Sequence, residues 1–250
     1  MRILAENISF KSNGNKLLGR LYRPEKFTEK APAIILCHGF PGDTKSMDLA
    51  EELALNGYVA LIFYYQGAWG SEGKYTLTKL EENARDAIKF ILSLPFIDSK
   101  RLAMIGHSMG AIPVSKTISL DKRIKTAIFL SPATSFKEMV AFKNRRRYLC
   151  YLLGLGKGKL VELNKKDLLK DLLWITEKSN PLDMIKKASI PVLVIVGSKD
   201  DVTTHRNCKR LYRIANKPKE YEEIAGADHS FSRHRIVLID KVLSWLNTYL

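Results

Sequence analysis

Short apolar runs recur along the chain, separated by longer stretches of helical period. Runs that are apolar at almost every position are typical of strands buried on both faces of a sheet. These runs are Ala33–Cys37, Val59–Phe63, Leu102–Ile105, Thr126–Leu130 and Val192–Val196. The helix-like stretches are Ser46–Asn56, Leu80–Leu94, Gly110–Leu120, Thr204–Ala215 and His234–Tyr249. This alternation predicts an α/β fold with a mostly parallel sheet.

Two β-like segments precede the first buried run. Ile3–Phe10 and Lys16–Tyr22 flank the turn signal Ser-Asn-Gly-Asn at 12–15, which predicts an antiparallel hairpin at one edge of the sheet. A further strand is predicted at Lys219–Ile224. The expected sheet therefore has eight strands, with helices on both faces.

One stretch interrupts the alternation of strands and helices. About sixty residues separate Leu130 from Val192, which is too many for one crossover helix. Helix-like pieces near Glu138–Leu153 and Asn164–Glu177 predict an inserted helical cap at residues 136–178. Since no linker divides the chain, we expect residues 1–250 to form a single domain that contains this cap.

Positive charge is concentrated in the predicted cap. The net charge is +15, and residues 143–170 contain nine Lys or Arg against two acidic residues. Such a segment is either a solvated outer face or a surface that recruits an anionic substrate or a polyanion. Because the chain has no recognisable nucleic-acid reading motif, we expect no nucleic-acid partner.

Composition excludes several classes of protein. With 46% apolar and 27% charged residues, the chain is expected to be globular. Apolar runs are far shorter than the roughly 20 residues that span a bilayer, and the first residues do not resemble a signal peptide, so we expect a cytoplasmic protein. The chain's Cys37, Cys150 and Cys208 show no CxxC spacing, which predicts small buried side chains rather than zinc ligands or disulfides. We expect no metal and no cofactor; a homo-oligomer is left open.

The segment Gly106-His107-Ser108-Met109-Gly110 directly follows a predicted buried strand and opens a helical stretch. The G-x-S-x-G spacing at a strand-to-helix turn exposes the serine hydroxyl at the carboxyl edge of the sheet, next to a helix N-terminus. We therefore predict Ser108 as a nucleophile.

A nucleophilic serine needs a base and a carboxylate that orients the base. His229 lies in a loop before the last helix and is the predicted base. The other four histidines are not expected to act as the base; they are His38, His107, His205 and His234. Asp200 and Asp201 both follow the strand Val192–Val196. We assign the orienting role to Asp200 and expect Asp201 to cap the next helix or to bind backbone amides.

The loop His-Gly-Phe-Pro-Gly-Asp at 38–43 follows another predicted strand and precedes a helix. Backbone amides in such a loop stabilise the oxyanion of an acyl-transfer reaction, together with the amide after the nucleophile. We assign these two donors to Phe40 and Met109.

With these elements, the chain resembles an α/β-hydrolase from end to end. It is most similar to the dienelactone-hydrolase and prolyl-oligopeptidase-like esterase branch, including feruloyl and cinnamoyl esterases. The motifs are HGF at 38–40, GHSMG at 106–110, GSKDD at 197–201 and GADHSF at 226–231. The segment at 64–73 resembles a YRGxGxSEG loop in which glutamine replaces arginine. A serine nucleophile differs from the cysteine of dienelactone hydrolases proper.

The resemblance implies a serine hydrolase of small carboxylic esters that uses an acyl-enzyme. Gly39, His107 and Trp69 are the expected substrate-binding residues, Trp69 as a wall of the acyl pocket, although a packed loop beside the site is the favoured alternative for Trp69. A peptidase is the alternative, and a thioesterase or a non-catalytic binding protein is less favoured. The glycine- and lysine-rich segment at 154–159 fits no phosphate-loop pattern and is expected to be a flexible turn of the cap.

Overall fold

Eight strands form one sheet in the computed structural model, which describes residues 2–42, 46–134 and 136–250. The strands are β1 (Ile3–Ser12), β2 (Asn15–Pro24), β3 (Ala31–Cys37), β4 (Val59–Phe63), β5 (Ile97–His107), β6 (Ile124–Leu130), β7 (Val192–Gly197) and β8 (Lys219–Ile224). All eight predicted strands are therefore present. β5 begins five residues before the predicted apolar run. The first half of the strand carries exposed polar residues, so the apolar pattern did not include it.

The strands follow the order β1-β2-β4-β3-β5-β6-β7-β8 across the sheet. β1 pairs antiparallel with β2, and β2 pairs antiparallel with β4, whereas every other neighbouring pair is parallel. Asn13 and Gly14 have φ values of 51° and 77°, as a two-residue hairpin turn requires. The predicted mostly parallel sheet with a hairpin at one edge is confirmed.

Helices cover the sheet and fill the connections between strands. They are α1 (Met47–Leu55), α2 (Leu80–Leu92), α3 (Ala111–Ile118), α4 (Phe136–Val140), α5 (Phe142–Gly156), α6 (Lys165–Lys178), α7 (Pro181–Met184), α8 (His205–Ile214) and α9 (Arg235–Tyr249). Short 3₁₀ turns lie at Leu77–Lys79, Ser108–Gly110 and Ile185–Lys187.

The sheet has a packed apolar layer on each face. Ile34 and Ile35 are neighbours on β3, yet Ile34 belongs to the layer beneath α1 and α9, whereas Ile35 belongs to the layer beneath α2, α3 and α8. Both side chains are fully buried. Successive strand residues point to opposite faces, so burial of both faces explains why the strands are continuous apolar runs.

The insertion between β6 and β7 is helical, but it differs from the prediction in one respect. The predicted helix near Glu138–Leu153 is two helices, α4 and α5, separated by Ala141 in an extended conformation with ψ of 136°. Alanine favours helix, so composition gives no sign of this break. α6 begins after Asn164, whose side-chain oxygen accepts a 3.0 Å hydrogen bond from the Asp167 amide.

Polar contacts attach the insertion to the rest of the chain. Lys74 Nζ lies 2.5 Å from Asp167 Oδ2 and 3.9 Å from Glu162 Oε2. Asp171 Oδ2 accepts a 2.7 Å hydrogen bond from the Leu77 amide. Burial raises the pKa of Asp171, partly opposed by that amide. The apolar residues beneath the insertion are continuous with the layer beneath α2 and α3.

The expectation that all three cysteines are buried is wrong for one of them. Cys37 and Cys208 are buried, and burial raises the pKa of each thiol to about 12. Cys150 is exposed on α5, a helix whose outer face is solvated. None of the helices among the described residues is long and apolar enough to cross a membrane.

Candidate active site

Ser108 lies at the turn between β5 and the helical segment that continues as α3. Its φ of 52° is the left-handed conformation that is costly for a residue with a side chain. The flanking glycines explain how the turn fits. A Cβ on Gly110 would lie 2.1 Å from the Cys37 carbonyl oxygen, and one on Gly106 would lie 2.8 Å from the Gly110 carbonyl oxygen. The close approach of β3 therefore requires glycine at position 110, and the tight turn itself requires it at position 106.

His229 and Asp200 meet at the carboxyl edge of the sheet. His229 Nδ1 lies 2.9 Å from Asp200 Oδ2, the distance of a hydrogen bond. The loops after β7 and β8 bring them together: a Cβ on Gly197 would lie 2.4 Å from the Ala227 carbonyl oxygen. Glycine at the end of β7 thus lets the two loops touch. The hydrogen bond orients the other ring nitrogen of His229 away from Asp200.

Asp200 is held by four hydrogen bonds in a buried position. Its Oδ1 accepts from the Val202 and Thr203 amides at 2.9 and 2.8 Å, and its Oδ2 is 2.9 Å from Thr203 Oγ1 as well as from His229 Nδ1. Burial alone would raise the pKa of Asp200. The hydrogen bond with His229, the charge of His229 and the Thr203 amide outweigh that effect and hold the pKa of Asp200 well below its usual range.

The two neighbouring aspartates have different surroundings. Asp201 is exposed, and among the described residues its carboxylate has no hydrogen-bond or ion-pair partner. Asp201 was expected to cap the next helix or to bind backbone amides, but the Val202 and Thr203 amides of this loop donate to Asp200 Oδ1. The expectation for Asp201 is wrong because the loop folds around the Asp200 carboxylate instead. Its Oδ1 accepts from the two amides, and its Oδ2 binds the imidazole of His229. α8 begins after Thr204, without a side-chain cap.

The loop after β3 lies against Ser108. A Cβ on Gly39 would lie 2.9 Å from Ser108 Cβ, so the backbone of Gly39 passes directly beside the serine. The amide of Phe40 has no hydrogen-bond acceptor within the described part of the chain. Phe40, Gly39 and Met109 all line the same pocket as Ser108. Asp43 of this loop lies outside the described residues.

A pocket of about 310 Å³ connects these elements. Ser108, His107, Thr203 and His229 line it at the carboxyl edge of the sheet. The insertion supplies another side, through Met139, Tyr148, Tyr151, Leu152, Leu155 and Lys159. None of the hydrogen bonds between described residues joins Ser108 Oγ to His229 Nε2. Hydrogen bonds between a catalytic hydroxyl and its base are often loose until a substrate binds.

Of the three expected substrate-binding residues, two line the pocket and one does not. Gly39 and His107 do, and His107 Nε2 lies 2.9 Å from the His229 carbonyl oxygen, so His107 also contacts the loop that holds His229. Trp69 is not among the described pocket-lining residues. Its indole Nε1 donates a 3.0 Å hydrogen bond to the Pro41 carbonyl oxygen, so Trp69 contacts the loop at 39–42.

Sequence reasoning missed Thr203 and the pocket residues of the insertion. Thr203 Oγ1 lies 2.9 Å from Asp200 Oδ2, 2.9 Å from the Ser131 carbonyl oxygen and 3.3 Å from His229 Nδ1. A threonine three residues after an aspartate is a recognisable turn signal that could have indicated this contact. Which residues of α5 face the pocket could not be read from the sequence, since that depends on how α5 is seated.

The arrangement provides a serine in a strained conformation that lines the pocket, an imidazole oriented by a carboxylate, and the backbone of the loop at 39–42 beside the serine. Such a set suits nucleophilic acyl transfer. The described residues contain no group of three or more His, Cys, Asp or Glu side chains arranged to hold a metal ion.

Related sequences agree with this architecture. Over 215 residues, which are 85% of this chain and 68% of the relative, the sequence is 28% identical to an uncharacterised protein of Mycobacterium tuberculosis. It is also 24% identical to Esterase EstD of Thermotoga maritima. That alignment spans 244 residues, which are 86% of this chain and 55% of the esterase.

Solved structures and a family match extend the comparison. Est1E from Butyrivibrio proteoclasticus has a TM-score of 0.76 with 21% identity over 97% of this chain and 98% of that one, which shows a common fold. The expected α/β-hydrolase fold is thereby confirmed. Residues 28–181, more than half of the chain, match the family described as Serine aminopeptidase, S33. The protein therefore belongs to this Hydrolase_4 family of α/β-hydrolases.

Proposed function

We propose that the protein hydrolyses carboxylic esters through an acyl-enzyme formed on Ser108. The observation that carries the proposal is the convergence on one pocket of the left-handed Ser108 and of His229, whose Nδ1 is 2.9 Å from Asp200 Oδ2. This geometry supports nucleophilic catalysis because the imidazole is held in the tautomer that presents Nε2 as a proton acceptor.

In the proposed reaction, His229 Nε2 removes the proton from the Ser108 hydroxyl while Oγ forms a bond to the ester carbonyl carbon. The carbonyl oxygen becomes an oxyanion, and Asp200 stabilises the imidazolium that has formed. The imidazolium then gives its proton to the departing alcohol as the carbon–oxygen bond breaks. Water, deprotonated by His229, attacks the acyl-enzyme and releases the carboxylic acid.

We assign the stabilisation of the oxyanion to the backbone amides of Phe40 and Met109. The Phe40 amide, which has no acceptor among the described residues, and the short approach of Gly39 to Ser108 support this assignment. Amides held rigidly in this way stabilise the developing charge without reorganisation at the moment of reaction. Removing one such donor typically costs about 10²- to 10³-fold in kcat.

The pocket favours esters over peptides with a free amino terminus. An aminopeptidase must bind the positively charged amino group of its substrate, for which a carboxylate is the natural partner. No aspartate or glutamate is among the described residues that line the pocket, whereas Lys159 is. A positive charge at the pocket opposes the binding of an ammonium group. This composition makes peptide hydrolysis, which the family's description suggests, the second candidate.

We also propose that residues 1–250 act as one domain, in which the insertion at 136–178 is a cap that selects substrates. Its apolar interior is continuous with the main core, and its inner face supplies part of the pocket wall. In this proposal the acyl or alcohol group of the substrate contacts α5, while the reacting carbonyl stays at the edge of the sheet.

The proposal is tested by comparing an ester and an amide with the same acyl group. We expect phenyl butyrate to be hydrolysed with a kcat/KM at least 100-fold higher than that of butyranilide, and the Ser108→Ala variant to retain only the background rate. Leucine 4-nitroanilide, with and without an acetylated amine, serves as the aminopeptidase arm. Equal or faster turnover of the amide, or a clear preference for the free amine, would contradict the esterase proposal.

A further inference from the structure

We infer that Lys159 binds a carboxylate on the substrate, so that the preferred ester has an apolar body and an anionic group remote from the scissile bond. This inference rests on the proposed ester hydrolysis at Ser108 and specifies its substrate class. It also gives a role to the glycine- and lysine-rich segment at 154–159, which the catalytic elements do not use.

The charge of the pocket is unbalanced. Lys159 is the one lysine or arginine among the described residues that line it, and these residues include neither aspartate nor glutamate. Asp200 lies behind His229 and is occupied by four hydrogen bonds. An anionic substrate group would therefore meet an attractive cation at Lys159, and the described lining residues add no carboxylate that competes with it.

The nearby acidic residues are already paired with another lysine. Glu162 and Asp167 are the two acidic residues of the segment 143–170, and both lie within 4 Å of Lys74 Nζ. Among the described residues no ion pair involves Lys159. The Lys159 side chain is exposed, and no ion pair between described residues occupies its ammonium, which leaves it available to a ligand.

The backbone that carries Lys159 is held in position against the main domain. Its neighbour Leu160 forms a β-bridge with Ala68, and the Val161 amide donates a 2.8 Å hydrogen bond to the Gly67 carbonyl oxygen. The Lys159 amide itself donates to the Gly156 carbonyl oxygen at 3.0 Å. The expected flexible turn is therefore a tethered one, so the cation has a defined anchor beside the pocket.

The rest of this wall is apolar or aromatic. Met139, Tyr148, Leu152 and Leu155 line the pocket with Lys159, and Leu152 is buried. Such a wall suits an alkyl or aryl segment of the substrate. A hydrophobic substrate that carries one carboxylate fits this combination better than a neutral ester or a small hydrophilic acid.

Two matched pairs of esters test the inference. On the acyl side, 4-nitrophenyl hydrogen suberate is compared with 4-nitrophenyl octanoate. On the alcohol side, 4-carboxyphenyl octanoate is compared with phenyl octanoate. The measured quantity is the ratio of kcat/KM for the anionic ester to that for the neutral one, in the wild type and in variants. Comparing ratios across variants removes the differences in intrinsic reactivity between the esters.

In one or both pairs, we expect Lys159→Met to lower this ratio about three- to fivefold, chiefly through a higher KM for the anionic ester, since Lys159 is exposed. Lys159→Arg should restore most of the ratio, and Lys159→Glu should lower it further. Lys157→Met is the matched control: Lys157 is exposed in the same turn but does not line the pocket, so the ratio should not change. Adding 0.5 M NaCl should reduce the wild-type ratio.

The pair that responds identifies the side of the ester that carries the anion. Equal effects of Lys159→Met and Lys157→Met, or an unchanged ratio in both pairs, would overturn the inference while leaving ester hydrolysis intact. If no ester is turned over and Ser108 is unreactive, the failure lies with the proposed function. Equilibrium dialysis of suberate monophenyl ester against Ser108→Ala and Ser108→Ala/Lys159→Met then tests the carboxylate site without catalysis: weaker binding by the double variant would support it, and equal binding would overturn it.

Discussion

Asp200 and His229 are 29 positions apart in the chain, yet Asp200 Oδ2 lies 2.9 Å from His229 Nδ1. Glycine at position 197 permits this contact, since any side chain there would meet the backbone of the loop that carries His229. The pair shows how a parallel sheet gathers distant residues at one edge, where the loops after adjacent strands meet.

The two aspartates of this loop should differ sharply in their effect on catalysis. We expect Asp200→Asn to lower kcat about 10³- to 10⁴-fold, because an amide no longer fixes the tautomer of His229 or stabilises its charged form. Asp201→Asn is the matched control, and we expect its kcat within about twofold of wild type because exposed residues seldom contribute. Comparable losses in both variants would contradict the assignment. Initial rates with a neutral aryl ester at constant pH provide the measurement.

The low pKa of Asp200 predicts how stability depends on pH. Because the pKa is lower in the folded state than in the unfolded chain, ionised Asp200 stabilises the fold fully above the unfolded value of about 4. That stabilisation should decline as the pH falls below about 4 towards the folded pKa. Urea unfolding of wild type and Asp200→Asn at several pH values measures the difference. We expect the free energy of unfolding of the wild type to exceed that of Asp200→Asn by less as the pH falls. A difference between the two proteins that stays constant from pH 7 to pH 3 would contradict the prediction.

Thr203 should act as a positioning residue. Its hydroxyl lies 2.9 Å from both Asp200 Oδ2 and the Ser131 carbonyl oxygen. We expect Thr203→Val, which keeps the shape but removes the hydroxyl, to lower kcat about tenfold with little change in KM, a loss typical of one hydrogen bond. Thr203→Ser should restore most of the activity. A purely structural role would instead lower the free energy of unfolding and leave the kcat of the folded enzyme unchanged.

Two helical glycines should respond to alanine in opposite directions. At Gly110 a methyl group would meet the Cys37 carbonyl oxygen, so we expect Gly110→Ala to lower the free energy of unfolding by about 3 kcal/mol. At Gly154, within α5, nothing lies within 4 Å of the added Cβ, so Gly154→Ala should raise it by about 0.5–1 kcal/mol. Denaturant unfolding measures both changes, and the same sign in the two variants would refute the packing argument.

The periodicity of apolar residues and the spacing of the motifs were sufficient to predict most of the fold. Ile34 and Ile35 are apolar neighbours because both faces of the sheet are covered, and such runs are visible in a sequence. The break at Ala141 was not predictable, because it depends on how α4 and α5 pack rather than on local preference.

The candidate site was predictable where a residue lies at or just after the end of a strand, as Ser108 and Asp200 do. The position of Trp69 was not, because the sequence does not show which neighbour a loop residue contacts; here its indole donates a hydrogen bond to the Pro41 carbonyl oxygen. Lys159 reaches the pocket through the β-bridge between Leu160 and Ala68, a contact over more than ninety positions that no local pattern encodes.

The most direct test of the central claim is covalent labelling with a small fluorophosphonate, followed by mass spectrometry of the labelled peptide. The account predicts stoichiometric modification of Ser108, abolished in Ser108→Ala and strongly slowed in Asp200→Asn but not in Asp201→Asn. Absence of labelling in the folded wild-type protein, or labelling that persists in Ser108→Ala, would contradict an activated serine at this site.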